Sequence, residues 1–527
     1  MDRRAFLVAG AAATVTACTA GTSTSSDTAE SSVETTAAPT TSTTVAAPST
    51  TTSAPNRPPH RPTPGQAPFG LGVASGEPDA NSVVVWTRLT GDDGLSSRPD
   101  GDIAVTCTVA RDPSMGDVVA TIETVAPSAD GHSVHLVVGD LEPDTTYHFT
   151  FAALGAVSPV GRTWTLAESP MSIRLAVTSC QHWEDGYFDA WKGVVDDDPD
   201  LALQLGDAIY GRDGLRDVRS HSEEIPGDLD SFRRRWALYR TDPELQAAMG
   251  AVPYVATWDD NEVRSNYAGT APYGGEPVDW FIQLRAAAYQ AWWEHQPTRL
   301  PRPVDGAVAI ERSIRFGDLG TVLVLDGRQH RDGQVCEPLD GLPAIELCDE
   351  LDADRTMLGP TQEAWVAEQV AGSTGWVVLA QATVMADWVV EVAGLSGLNH
   401  DQWDGYPVAR ERLVAALGDR DALVLSGDVH LGAVNVVRAA GRSIAEFVTP
   451  SVSSALDDRV ALGLELTVPT LDDVRHFDTE HHGHLLVEIG SGGALATYRH
   501  TDPTVRGSAT TSGSTWLATG SGDVRPA

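Results

Sequence analysis

The 527-residue chain is too long for one ordinary domain and holds apolar residues enough for a large core. Its formal net charge of −37 excludes nonspecific binding to nucleic-acid duplexes and to anionic membrane surfaces. A small anionic substrate stays open, because bound cations and local arginines reverse the field inside a cleft. No basic stripe is present, and Arg233-Arg234-Arg235 reads as a solvated helix face.

The N-terminus, Asp2-Arg3-Arg4-Ala5-Phe6-Leu7, sets twin arginines before an apolar stretch through Ala17. That stretch is too short to span a bilayer and reads as an export signal. Val15-Thr16-Ala17-Cys18 resembles a lipobox, which makes Cys18 the lipidated first residue of an envelope protein. The alternative is plain cleavage after small residues, leaving a soluble exported protein. Nothing later looks transmembrane, so membrane association is expected only through a lipid anchor.

Residues 19–66 are Thr, Ser, Ala and Pro with almost no large apolar residues, a composition that cannot bury a core and reads as a disordered linker. Residues 67–168 hold short β-type runs, among them Ser82-Val-Val-Val-Trp-Thr-Arg, Ile103-Ala-Val-Thr-Cys-Thr-Val, Ser133-Val-His-Leu-Val-Val and Thr146-Tyr-His-Phe-Thr-Phe, separated by turn residues. They predict an all-β sandwich of immunoglobulin or fibronectin type. Residues 172–505 alternate apolar strands with helical stretches at Asp230–Tyr239, Val278–Glu294 and Thr361–Ala371, which predicts a layered α/β domain. Residues 506–527 are rich in Gly, Ser and Thr and read as a flexible tail.

The chain has five cysteines. Cys18 belongs to the signal, and Cys107 reads as a small core residue. Cys336 and Cys348 bracket a polar loop, where an exported protein can oxidise them to a disulfide; two free thiols are the alternative. Cys180 is the odd one, ending a strand beside polar residues.

Five apolar runs end on residues suited to a metal or a phosphate. Ile173-Arg-Leu-Ala-Val-Thr-Ser ends at Cys180. Leu201-Ala-Leu-Gln-Leu-Gly ends at Asp207, with Tyr210 one turn on. Pro253-Tyr-Val-Ala-Thr-Trp ends at Asp259-Asp260-Asn261-Glu262. Thr321-Val-Leu-Val-Leu ends at Asp326-Gly-Arg328, and Ala422-Leu-Val-Leu-Ser-Gly at Asp428-Val-His430. Ligands of α/β sheets gather at the carboxyl ends of the strands, so this order assembles a candidate dinuclear metal site on one rim. Each element alone is an ordinary turn or packing feature; the conjunction points to metal-dependent hydrolysis of phosphate esters. Asp207 is the natural bridge. Phenolate, thiolate and imidazole from Tyr210, Cys180 and His430 favour a trivalent or soft ion such as iron, whereas Asp207, Asp260 and Asp428 suit calcium or another hard divalent ion. The pair would polarise the phosphoryl group and deliver a hydroxide in line. His182 and His400 read as surface or outer histidines.

From about residue 67 to 500 the chain resembles the PhoD-type alkaline phosphatases and phosphodiesterases. The marks are Phe69-Gly-Leu-Gly-Val-Ala-Ser-Gly-Glu-Pro, Val85-Trp-Thr-Arg, Ser179-Cys180-Gln181, Gly206-Asp207-Ala-Ile-Tyr210, Trp258-Asp259-Asp260, Leu325-Asp326-Gly-Arg328-Gln329, Arg355-Thr-Met-Leu-Gly, Gln402-Trp-Asp404-Gly-Tyr406 and Ser426-Gly-Asp428-Val-His430. The resemblance implies a four-layer α/β/β/α metallophosphoesterase domain with an iron (Fe3+) and calcium centre acting on phosphate mono- and diesters. It implies Cys180, Tyr210 and His430 as iron ligands, Asp207 as bridge, and Asp260 and Asp428 on the neighbouring ion. Arg328 would meet a phosphate oxygen, with a structural salt bridge as the alternative. Asp259 and Asp404 would stand behind the ligands. The family usually reads Trp-Asp-Asp-His-Glu, where this chain has Asn261. An amide donates a hydrogen bond but no proton near neutral pH, which bears on the preferred leaving group. Expected partners are small phosphate esters, with the chain a monomer. A cell-wall or lipid phosphodiesterase with little monoesterase activity, and a non-catalytic metal- or phosphate-binding lipoprotein, are the rival readings.

Overall fold

The computed structural model describes residues 57–99, 101–221, 224–273, 275–335, 349–392 and 395–527. Cys18, Cys336, Cys348 and the export signal lie outside these residues.

Two large sheets stack face to face. The ten-stranded one runs, in spatial order, Val524–Pro526, Thr511–Ala518, Gly493–Thr501, His482–Gly490, Ser172–Thr178, Leu201–Gln204, Tyr254–Ala256, Val73–Gly76, Val83–Arg88 and Ser133–Val138. The seven-stranded one runs Arg312–Phe316, Gly320–Val324, Trp376–Ala380, Ala422–Ser426, Arg442–Val448, Gly432–Ala439 and Val474–Asp478. Each sheet has a run of four parallel strands, Ser172–Thr178, Leu201–Gln204, Tyr254–Ala256 and Val73–Gly76 in the first, and Gly320–Val324, Trp376–Ala380, Ala422–Ser426 and Arg442–Val448 in the second. Covered on both faces, the first three of each set read as continuous apolar runs.

Alternation along the strands separates the layers. Leu175, Val177, Leu203 and Val255 meet Val322, Val378, Leu423, Leu425 and Phe447 between the sheets. Ala176, Ala202 and Ala256 turn the other way, toward helices Ala190–Asp197, Leu229–Arg240, Pro243–Met249 and Val278–Glu294. Leu323, Val377, Leu379 and Val424 face helices Gly359–Gly372 and Pro407–Ala416. The catalytic-type domain is thus a four-layer α/β/β/α sandwich. Capping sharpens the helix starts: Asp228 accepts from Ser231 N at 2.8 Å, and Asp242 precedes Pro243 at the first helical position.

The N-terminal region is β-rich, and three of its strands join the ten-stranded sheet. Ile103–Ala110, Val118–Ala126, Thr146–Ala153, Ala156–Val157 and Gly161–Trp164 form a five-stranded sheet. Its apolar face, with Val105, Val109, Phe149 and Phe151, packs on Val73, Val83 and Val85. Those last residues belong to strands that continue the ten-stranded sheet, through the register Gly76↔Tyr254. Period-two patterning states which face is buried and not which strand lies alongside, so the boundary expected at 168–172 does not separate the sheets.

Three expectations are corrected. Residues 57–66, assigned to the linker, are anchored: the Arg57 guanidinium lies 3.8 Å over Trp164 and pairs with Asp200. His60 Nε2 donates to Val160 O at 2.9 Å, and Gly65 N to Gln246 Oε1 at 2.9 Å. Residues 506–527 are no loose tail, since Thr511–Ala518 pairs with Gly493–Thr501 and Val524–Pro526 pairs in turn. The Gly and Ser content hid a strand whose stability comes from its neighbour. Finally, Arg233 and Arg235 are buried. Arg233 forks onto Glu294 at 2.7 and 2.6 Å, while Arg235 donates to the carbonyls of Tyr210 and Glu224.

Candidate metal centre

The site forms where the carboxyl ends of the two sets of parallel strands meet. Ties across the sandwich fix this rim: Thr449 Oγ1 donates to Val177 O at 2.8 Å, Thr257 Oγ1 to Leu325 O at 2.8 Å, and Ser179 bridges Ser451. Two glycines permit the close approach. A Cβ on Gly206, at φ +107°, would fall 2.5 Å from Asp259 Cβ, and one on Gly427 would fall 2.8 Å from Ser179 Cβ.

The residues that follow are held in unusual backbone. Cys180, Asp207, Asp428 and His430 have φ of 56°, 57°, 66° and 60°. Left-handed backbone at four non-glycine positions of one site is the kind of strain that surrounding structure holds for function. Here the hold is explicit. Cys180 N donates to Gly206 O at 3.2 Å and Gln181 N to Asp207 O at 3.0 Å, while Cys180 O accepts from Ser454 N at 3.0 Å.

Two donor groups share one aspartate. Cys180, Asp207 and His430 bring ligand atoms within 4.8 Å of one another, and so do Asp207, Asp259, Asp260 and Asp428. Tyr210 joins the first group, its hydroxyl 2.6 Å from Asp207 Oδ2 and 3.1 Å from His430 Nε2. His430 Nδ1 donates to Ala455 O at 2.9 Å, which leaves the Nε2 lone pair facing the tyrosine oxygen. Tyr210 is itself set by Tyr239, whose hydroxyl accepts from Tyr210 N at 3.2 Å, and by Arg235.

The electrostatics have one cause. Burial, then the carboxylates of Asp260, Glu262 and Asp428, push Asp207 well above the ordinary carboxylate range. Burial also raises Asp259 well above its usual value against the pull of Arg328, with Asp428, Asp260 and Asp207 adding to the rise. The Cys180 thiol is pushed up by burial and then by Asp207 and Asp428. Negative groups crowd a buried pocket in which Arg328 pairs with Asp259, and Asp259 Oδ2 is buried without a hydrogen-bond partner. Such a donor set fits cations.

The other expected residues fall as follows. Asn261 Nδ2 lies 3.0 Å from both Asp207 oxygens and 2.5 Å from Asp260 Oδ1. Arg328 is fully buried; its Nε donates to Asp259, and its Nη1 and Nη2 fork onto Asp401 at 2.9 and 2.8 Å. Of the two alternatives for Arg328, the salt bridge is the arrangement present. Asp404 binds Arg410 Nη1 and Trp388 N, each at 3.0 Å, and makes no hydrogen bond to the donor groups. Its neighbour Gln402 donates to Asp428 instead. Neither His182 nor His400 is on the surface; the His182 ring packs 4.5 Å from Tyr210.

Sequence reasoning missed Glu262, Asp401 and Arg235. Glu262 accepts from Asp207 N at 3.1 Å, Ala208 N at 2.7 Å and Asp259 N at 3.0 Å, so one carboxylate ties two strand-end loops together. Its place after Asp259-Asp260 was visible; the loop it reaches, more than fifty residues earlier, was not.

This fold, with acidic and softer donors on one rim, defines a metallophosphoesterase-like protein. The comparisons narrow the class. A PhoD-like phosphatase model matches residues 175–498, and a PhoD-like phosphatase N-terminal domain model matches residues 50–167. Alkaline phosphatase D of Bacillus subtilis (strain 168) is 37% identical over 380 residues, which cover 69% of this chain and 64% of that protein, just under two thirds of its length. A solved structure of PhoD superposes with a TM-score of 0.79 at 32% identity, over 88% of this chain and 92% of that one. Purple acid phosphatase from yellow lupin (Lupinus luteus) seeds shares the fold alone, at a TM-score of 0.51 and 12% identity over 86% of this chain and 74% of that one. The chain belongs to the PhoD-like phosphatase family.

Proposed function

We propose that this protein is an exported, metal-dependent phosphoesterase that releases phosphate from mono- and diesters. The observation that carries the reading is the pair of donor groups sharing Asp207, whose carboxyl burial and the neighbouring carboxylates push well above the ordinary range. Cys180, Tyr210 and His430 would hold iron, and Asp260, Asp428 and the unpartnered Asp259 oxygen would hold calcium, with Asp207 between them. When bound, the two ions supply positive charge to the phosphoryl oxygens and activate a water. The chain's own part is positioning. Glu262 fixes the loops of Asp207 and Asp259, Arg328 pins Asp259, and Gln402 orients Asp428. The Ala455 carbonyl presents Nε2 of His430. Asn261, against Asp207, would donate a hydrogen bond to a bound phosphate oxygen and hold no transferable proton. The twin arginine and Cys18 support export with a lipid anchor.

Turnover of a chromogenic phosphate monoester and of its diester, with and without chelator, tests the reading beside elemental analysis of the purified protein. Chelator-sensitive turnover with iron and calcium bound is the expected result. Stoichiometric metal without turnover of either ester would make it a binding lipoprotein.

A further inference from the structure

A second cluster of metal-type donors lies outside the centre just described. Asp478, His481 and His500 place ligand atoms within 4.8 Å of one another. Asp478 ends Val474–Asp478, the edge strand of the seven-stranded sheet, and His500 lies in Gly493–Thr501 of the ten-stranded sheet. His481 stands just before strand His482–Gly490. The two imidazoles stack, with centroids 4.2 Å apart and planes at 16°, so a shared ion requires one exposed ring to turn about its Cβ–Cγ bond. His481 Nδ1 is 2.9 Å from Asp478 Oδ2, and His500 Nε2 is 3.8 Å from the same oxygen.

The second distance is informative. It is too long for a direct hydrogen bond. Two donors each about 2.0–2.1 Å from a tetrahedral ion stand about 3.3 Å apart, a value between the two distances seen. The carboxylate is preset as well, because Asp478 Oδ1 accepts from Glu480 N at 3.0 Å and His481 N at 3.1 Å. Oδ1 also lies 3.1 Å from His481 Nδ1, so both oxygens meet that ring, and Oδ2 lies 3.8 Å from His500 Nε2. His500 has its own niche, since a Cβ on Gly513 would fall 2.3 Å from its Cε1. His476 next door is otherwise engaged, its Nε2 3.1 Å from Ser514 Oγ and its ring stacked on Trp516.

We propose that Asp478, His481 and His500 form a separate site for a divalent transition ion of zinc type, clamping the edge of one sheet to the other. Two imidazoles and one carboxylate suit zinc or copper over calcium or magnesium. Three protein donors leave one coordination position for solvent. The clamp sits near the first centre without sharing a residue with it. Asp478 pairs with Gly432, two residues past His430. His482 Nδ1 lies 2.7 Å from Ser451 Oγ, and Ser451 bridges Ser179. The proposal does not depend on the phosphoesterase reading.

The test uses the full chain with its resident metals in place. Zinc chloride is added, free metal is removed, and bound zinc is counted. Wild type should take up about one zinc per chain beyond its resident complement and unfold at a higher temperature when it does. The His481→Ala/His500→Ala double variant should lose both the extra zinc and the thermal shift and keep its resident metals. His476→Ala should keep the extra zinc. With copper as the probe, nitrogen hyperfine structure from two imidazoles should appear in wild type and vanish in the double variant. Unchanged zinc uptake in the double variant overturns the proposal, as does a wild type that takes up no extra ion. In either case the trio is a hydrogen-bonded surface cluster only.

Discussion

Asp401 offers a direct measure of how firmly the acidic rim is braced. Four side-chain nitrogens converge on its carboxylate: Arg328 Nη1 and Nη2, Arg331 Nη2 at 2.6 Å, and Gln334 Nε2. All three charged partners are nearly excluded from solvent, with Arg328 at 0%, Arg331 at 3% and Asp401 at 4% exposure. Asp401→Ala would leave two buried guanidinium groups short of a counter-charge. Breaking one buried pair costs about 3–5 kcal/mol, because the remaining charge is stranded in low dielectric. Arg328 keeps Asp259, and Arg331 keeps the Tyr267 carbonyl at 2.8 Å, so the expected loss stays within that range despite two broken pairs. It lowers the ratio of folded to unfolded chain by about 10²–10⁴. Urea unfolding followed by tryptophan fluorescence would show it as a lower midpoint at unchanged slope. Burial raises the Asp401 carboxyl, but Arg328 and Arg331 override burial and hold it well below the usual range. Its contribution is therefore present above the unfolded value of about 4 and is lost as pH falls through the folded value. The gap between wild type and variant should close on acidification below that point. A loss under about 1 kcal/mol near neutral pH, the scale of exposed ion pairs, would refute the argument.

Four other outcomes are expected. Asn261→His should raise turnover of alkyl phosphates more than that of nitrophenyl phosphate, since a general acid is worth about 10²–10⁴-fold and least for a stable leaving group; equal falls on both would assign Asn261 to holding Asp207. Tyr210→Phe should remove a visible iron charge-transfer band and Cys180→Ala should weaken iron retention, by more than the roughly 10–100-fold typical of residues behind the ligands; colour and iron that survive both changes would reject the assignment. Deleting residues 506–527 should lower the unfolding temperature markedly, where a loose tail would leave it unchanged, as calorimetry can decide. Cys18→Ser should move the protein from the membrane fraction to the medium with its activity intact, and a wild type already in the medium would favour plain cleavage.

The rim was legible because its strands are continuous apolar runs that stop abruptly at Cys180, Asp207, Asp259, Asp326 and Asp428. Burial on both faces writes itself into such runs, and ligands gather where they end. Pairing is not written there. Nothing in Val83–Arg88 states that it continues the sheet holding Leu201–Gln204, since partner choice is settled over long distances in the chain. Thr511–Ala518 is a strand through its neighbour, despite a turn-like composition. Short turns hide orientation as well. Within Gln402-Trp-Asp404, the aspartate drew attention, yet it serves Arg410 while Gln402 reaches the site. Arg235 sat in a charged run that looked solvated; its guanidinium reaches inward to a backbone carbonyl of the tyrosine at the centre.

The shared ten-stranded sheet changes what the N-terminal region is for. Cut away at residue 168, it would leave Tyr254–Ala256 with a row of bare amides and carbonyls beside the candidate metal centre, open to pairing with another strand. Val73–Gly76 occupies that row. Beyond it, Glu77 receives Thr298 Oγ1 and Arg299 N, each at 2.7 Å, and pairs with Arg312 at 2.6 Å, closing the corner. The region that precedes the α/β layers thus covers an edge otherwise open to pairing, and a chain shortened to residue 169 onward would be expected to aggregate.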